Sequence, residues 1–323
     1  MRHARRLVQA GGFSFLGIRV CGAVCGLLLA ASPVLAASYR TANFIVDAPT
    51  EALARKIGDA SEQYRHTLAV EWLGRPLPRW SRPCPIKAQV AAHLGAGGAT
   101  SFVFDKGEVF NWTMTIQGSE ERILDSVLPH EITHTIFATH FRRPLPRWAD
   151  EGACTTVEHP VERARQHRLL IEFLTTGRGI AFPDMFAMRE YPADVLPLYS
   201  QGYSLARYLI ERGGRHKYVT FVGDGLATDD WSGALRKHYG VPTVAQLQHT
   251  WLGWVREGCP APPASVALAA ASAAPAWSGI ARGQSPDTAA TTPAQPPVAA
   301  TAGRRSIYAM QARRTADDQP PAQ

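Results

Sequence analysis

His130, Glu131 and His134 stand in the order His-Glu-x-x-His, a spacing suited to metal-assisted hydrolysis. Residues four apart on a helix lie about one turn apart, so the two imidazoles project from one face, roughly 5–6 Å from each other. Two neutral imidazoles so placed suit one Zn2+. Glu131, turned about 100° round the helix from His130, stands beside the metal as a candidate general base rather than a ligand. A purely structural zinc site needs no base next to its ligands. The surroundings favour a helix, because Leu124, Leu128, Ile132 and Ile136 recur every four residues. Pro129 is best tolerated in a first turn, where backbone N–H groups have no intrahelical partner. Asp125 or Ser126 then caps the helix and leaves Leu124 in a separate turn; the alternative is one longer helix kinked at Pro129.

Two imidazoles need a third protein ligand, and two residues qualify. His140 stands where His-Glu-x-x-His-x-x-Gly-x-x-His places its last histidine, but Phe137 holds the glycine position. That glycine lets the chain turn sharply out of the helix, and a bulky residue is strained there. If the helix continues through Phe137, His140 points away from the metal. The favoured candidate is Glu151, in Pro146-Arg147-Trp148-Ala149-Asp150-Glu151-Gly152-Ala153. Pro146 restarts the chain, and a second helix beginning near Asp150 presents Glu151 to the first. A carboxylate ligand on Zn2+ still lowers the pKa of bound water towards ~7. Tyr199, Tyr203 and His216 are candidate donors to an oxyanion.

The elements that must hold these residues follow from local pattern. Residues 43–46 are β-rich, and Thr50 caps a helix expected over 51–71 with Leu53, Ile57, Tyr64 and Leu68 near one face. Residues 85–93 alternate like a strand, and Gly95-Ala96-Gly97-Gly98 reads as a loop. Residues 102–104 and 109–116, around Asp105-Lys106-Gly107, read as a hairpin. Strand, helix, strand, hairpin and helix predict a small mixed sheet with helices on it. From 151 to 258 the pattern is almost wholly helical, including helices at 199–211 and at 244–257, the latter opened by a Thr243…Gln246 capping box. The expected fold class is therefore α+β: a small mixed sheet with the zinc helix, then a mostly helical C-terminal subdomain.

The ends of the chain have another character. The formal charge of +7 comes mostly from them: residues 1–36 carry Arg2, Arg5, Arg6 and Arg19 with no acid, and 260–323 carry five arginines against three aspartates. Residues 37–259 keep +1, which argues against a nucleic-acid groove. A basic stretch, an apolar run of about 16 residues and Val34-Leu35-Ala36 read as a cleaved export signal over 1–36, too short to span a membrane. The expected location is periplasmic, envelope-associated or secreted, with no stable membrane span after cleavage. Residues 260–323 hold 20 Ala and 10 Pro, too little apolar bulk for a core, and read as a disordered tail. The folded domain is then 37–259, expected to be a monomer. Export permits a disulfide among Cys84, Cys154 and Cys259; Cys84–Cys154 is the favoured pair, with three free thiols as the alternative.

With these residues in place the chain resembles the gluzincin-type zinc metallopeptidases, in particular the peptidase MA-like group. The matching residues are His130, Glu131, His134, the Leu-Pro-x-Trp-x-x-Glu-Gly stretch ending at Gly152, and residues 199–209, over roughly 42–257. The resemblance implies a thermolysin-like catalytic architecture, a Zn2+ cofactor, and a peptide or protein substrate. It also implies an edge strand ahead of the zinc helix that pairs with extended substrate, which would be residues 111–116. The thermolysin type orients a zinc histidine with an acid four residues beyond the ligand glutamate; here that position is Thr155. The function implied is that of an exported zinc peptidase. The alternative is a catalytically weak zinc-binding envelope module whose apolar hairpin and tail bind a protein partner.

Overall fold

The computed structural model describes residues 37–188 and 190–261. The expected export signal lies outside them, as does the Ala/Pro-rich stretch beyond Ala261.

Five strands form one mixed sheet in the order β1-β2-β3-β5-β4. Strands β1 (Ala37–Arg40) and β2 (Phe44–Ala48) are antiparallel, and β2 runs parallel to β3 (Cys84–Val90). The two parallel strands require a crossover, supplied by α1 (Glu51–Leu73). Thr50 caps α1 by accepting from the Leu53 amide, and Gly74 ends it with a φ of 71°. Strand β3 is parallel to β5 (Glu108–Gly118), whose other edge pairs antiparallel with β4 (Gly97–Asp105). The hairpin closes through Lys106 and Gly107, both at positive φ (48° and 78°), as a tight two-residue turn requires.

Two expectations need correction. Residues 111–116 do not form an edge: they lie in β5, between β3 and β4, and the edge on this side is β4. The hairpin folds its first strand outward, because β5 takes the parallel place beside β3. Nor are Gly97 and Gly98 loop residues; they open β4 and are buried. A Cβ at Gly98 would stand 2.5 Å from Glu131 Oε1, so glycine is what lets the edge strand pass the helix that carries Glu131.

That helical region is continuous but distorted. Ser119 caps a single turn, α2 (Glu120–Arg122), by accepting from the Arg122 amide. A π-helical turn over Ile123–Val127 follows, and then α3 (Leu128–Phe141). Neither Asp125 nor Ser126 is the cap: Ser126 Oγ donates to Asp125 and accepts from the His159 amide. The expected kink at Pro129 is absorbed one turn earlier, where the Leu128 amide reaches back to Ile123. A π turn is a common way to house such an insertion. Helix α3 runs through the buried Phe137 and ends at Arg142, in the left-handed region at φ 53°.

Beyond it the chain is helical: α4 (Arg147–Thr155), α5 (Pro160–Thr175), α6 (Phe182–Ala187), α7 (Leu196–Thr228, broken at Gly214), α8 (Trp231–Tyr239) and α9 (Val244–Arg256). Thr243 caps α9 as expected, accepting from the Gln246 amide. The fold is thus α+β, with α1 packed on α3, both against the sheet, and helices α4–α9 following. One apolar core runs through it, from Phe44, Ile86 and Ile116 through Trp72 and Phe137 to Trp148 and Phe221. Among the described residues no helix is long and apolar enough to cross a membrane. The described cysteines, Cys84, Cys154 and Cys259, are buried free thiols, so the favoured Cys84–Cys154 disulfide is absent.

Helices α4 and α7 cross at two glycines. A Cβ on Gly152 would overlap the Gly202 carbonyl, and one on Gly202 would stand 2.8 Å from the Trp148 carbonyl oxygen. This approach sets the height of Glu151 above α3. We expect Gly152→Ala to cost about 1–3 kcal/mol through overpacking, a drop of roughly 2–12 °C in the thermal midpoint. An unchanged midpoint would contradict the close crossing.

Candidate metal centre

Helix α3 brings His130 and His134 together with ring centroids 4.9 Å apart. The Nδ1 atoms of both rings face acids. His130 Nδ1 lies 2.6 Å from Glu158 Oε1, and His134 Nδ1 lies 3.0 Å from Asp150 Oδ1. Both Nε2 atoms face the same carboxylate oxygen, Glu151 Oε2, at 3.4 and 3.5 Å. Glu151 Oε2 accepts no hydrogen bond among the described residues, while Oε1 accepts from the Tyr191 hydroxyl at 2.8 Å.

A second donor touches His134. Cys154 Sγ lies 3.3 Å from its Nδ1, and ligand atoms of His130, His134 and Cys154 all fall within 4.8 Å of one another. This buried His-His-Cys group could hold a metal ion. The thiol shares a nitrogen that Asp150 already engages, whereas Glu151 addresses the opposite nitrogen of that ring. The two donor sets therefore lie on different sides of the same imidazole.

The electrostatics call for a cation. Glu131, Asp150, Glu151 and Glu158 are each at most 3% exposed, and the imidazoles at most 5%. Burial pulls the His130 imidazole down, but the carboxylates of Glu151 and Glu158 outweigh it and raise it to about 9. His134 is likewise drawn down by burial and lifted well above its ordinary value by Cys154, Asp150 and Glu151. Burial lifts Glu151, yet the facing histidines hold it far below the usual carboxylate range. If each Nδ1 donates to its acid, two Nε2 lone pairs and Oε2 converge, and only a proton or a metal between them relieves the repulsion. At 3.4 and 3.5 Å the contacts are longer than ordinary N–H···O bonds.

Glu131 follows His130 on α3, and its side chain is pinned to the edge strand. Thr100 Oγ1 donates to its Oε2 at 2.7 Å, whereas Oε1 accepts no hydrogen bond among the described residues.

The other sequence candidates fall further out. His140 stays on α3 beyond Phe137, its ring against Phe141 and its side chain near Arg75 and His216. His216 is exposed. Tyr199 is buried and hydrogen-bonded to Tyr191, the tyrosine that donates to Glu151. Tyr203 is buried near Arg207, Arg163 and Glu158. Thr155 hydroxyl donates to the Glu151 carbonyl, not to a histidine; Glu158 and Asp150 orient the rings instead. Sequence reasoning missed Asp150, Glu158, Thr100 and Tyr191. Only Glu158, two turns beyond Glu151, carried a legible signal. Comparison with protein-family models and with curated proteins finds no match to this chain.

In the metal-free protein the raised His130 value stabilises the fold. The contribution is complete below the ordinary value of 6.5 and is lost as pH rises through about 9. That interval corresponds to about 3 kcal/mol. Urea midpoints of chelator-stripped protein should fall accordingly between pH 6 and pH 10; a flat profile would contradict the assignment.

Proposed function

We propose that this chain is an exported zinc-dependent peptidase of gluzincin type, with a thermolysin-like arrangement of sheet, zinc helix and helical half. His130, His134 and Glu151 hold the metal, and a peptide or protein is the substrate. The single observation that carries the reading is that both Nε2 atoms face one oxygen of Glu151 at ligand-to-ligand range. Ligands about 2.0–2.2 Å from a tetrahedral zinc stand about 3.3–3.5 Å from each other, and the Nε2–Oε2 distances are 3.4 and 3.5 Å. Acids on both Nδ1 atoms suit such a site, since they fix the tautomer and aim Nε2.

Bound zinc would supply Lewis-acid polarisation of water and of the scissile carbonyl. The protein's own part is then proton handling. Glu131 Oε1 would accept a proton from the attacking water as the water oxygen bonds to the carbonyl carbon, with Oε2 anchored on Thr100, and would pass that proton to the amine nitrogen as the C–N bond breaks. Strand β4, which carries Thr100, is the last strand of the sheet among the described residues, the position at which an extended peptide would add. Tyr199 and Tyr203 stay the candidate donors near the reacting carbonyl, because the single hydroxyl proton of Tyr191 is already given to Glu151 Oε1.

The rival reading, a zinc-binding envelope module that binds a protein partner, rests on Val103 and Phe110, 45% and 40% exposed on the hairpin. The anchored Glu131 favours the peptidase, because a module without chemistry needs no base. We expect Glu131→Gln to leave a folded, zinc-loaded protein whose peptide hydrolysis falls by on the order of 10²–10⁴. In parallel, Glu151→Ala should empty the site and His140→Ala should not. Full activity in metal-loaded Glu131→Gln, or zinc lost through His140 alone, would rule the mechanism out.

A further inference from the structure

Arg147 opens α4, one turn before Glu151. Its guanidinium carbon lies 4.2 Å from the ring centroid of Tyr191, and that tyrosine donates its hydroxyl proton to Glu151. One tyrosine ring therefore separates a permanent cation from the carboxylate that faces both imidazoles. Arg122, Arg178, Arg207 and Arg215 each hold an acid. Arg147 joins no ion pair among the described residues, and its Nη1 is buried without a hydrogen bond. The side chain as a whole is only half-buried, so its exposure lies on its other atoms.

A guanidinium stays charged at every relevant pH and presents a planar fork of N–H donors. Leaving part of it desolvated and unpaired costs free energy. A carboxylate fits the fork with two parallel, charge-assisted bonds. The face of Tyr191 restricts the tilt of the fork, so an arriving anion meets an oriented receptor next to the metal centre.

We propose that Arg147, steadied by Tyr191, receives a carboxylate of the bound peptide. The anion is either the substrate's C-terminal carboxylate or an acidic side chain close to the scissile bond. This deepens the peptidase reading and rests on it for its biological meaning, but its test does not need turnover.

The test is calorimetric binding of short N-acetylated peptides to the zinc-loaded full chain. Three probes share one backbone: a free C-terminal acid, its C-terminal amide, and an amide with Glu in place of Gln at an inner position. In the unmodified protein one of the two charged probes should bind about 10–100-fold tighter than the neutral amide, the usual range for hydrogen bonds to charged groups. Which one gains identifies the source of the carboxylate. Arg147→Gln should close that gap with zinc content and neutral-amide binding unchanged, and Arg147→Lys should keep part of it. Equal or absent binding of charged and neutral probes to the unmodified protein would overturn the subsite. So would a gap that survives Arg147→Gln. Equal weakening of all probes would also overturn it, because Arg147 would then merely prop Tyr191. Hydrolysis of the same peptides reports separately: turnover without acid preference sinks the subsite alone, and acid preference without turnover sinks the peptidase reading alone.

Discussion

A carboxylate taken from water into a protein interior loses several kcal/mol of hydration unless a cation accompanies it. This protein does so at Asp150, Glu151 and Glu158, which face two buried imidazoles, and again at Glu131 on the same helix as those rings. Two imidazolium ions or one divalent metal would supply the same positive charge, and the raised histidine values express the first solution. The rest of the architecture serves this charge balance. The π turn before Pro129 lets α3 start where both rings face inward. The Gly152–Gly202 crossing lowers α4 onto them. Trp148, stacked on Phe186 and edge-on to Trp231, anchors α4 in the apolar layer behind.

The orientation of each ring follows from its acid. Glu158 sits just past the end of α4 and reaches His130, while Asp150, immediately before Glu151, reaches His134. With both Nδ1 atoms engaged, the two Nε2 atoms are left to one oxygen. Tyr191 takes the other oxygen of Glu151, so that carboxylate is divided between a donor on one side and the imidazole pair on the other. Such division would favour ligation of a bound metal through Oε2 alone.

Much of the site was legible because its information is local. His130, Glu131 and His134 lie within two helical turns, and Glu151-Gly152 follows a proline-set restart of the chain. Phe137 in place of a glycine correctly argued that the helix runs on past it and carries His140 away. What the sequence hid was long-range. Thr100 meets Glu131 across 31 residues and Tyr191 meets Glu151 across 40, contacts that no periodicity encodes. The edge strand was misassigned because strand order depends on which hairpin arm takes the parallel place beside β3. The Gly97-Gly98 pair read as a loop for a related reason: its glycine serves a side chain far away rather than a turn. Cys154 read as a disulfide partner, yet it lies against His134.

The account turns on which atoms of His134 face the ion. If the Nε2 atoms of both histidines and Glu151 hold it, the ligands are nitrogen and oxygen only. If the opposite side of His134 is used, the buried Cys154 thiol becomes a ligand. X-ray absorption at the zinc edge of the metal-loaded protein separates the two directly. The account predicts a shell of nitrogen and oxygen at about 2.0–2.2 Å and no sulfur. A sulfur scatterer at about 2.3 Å would contradict it.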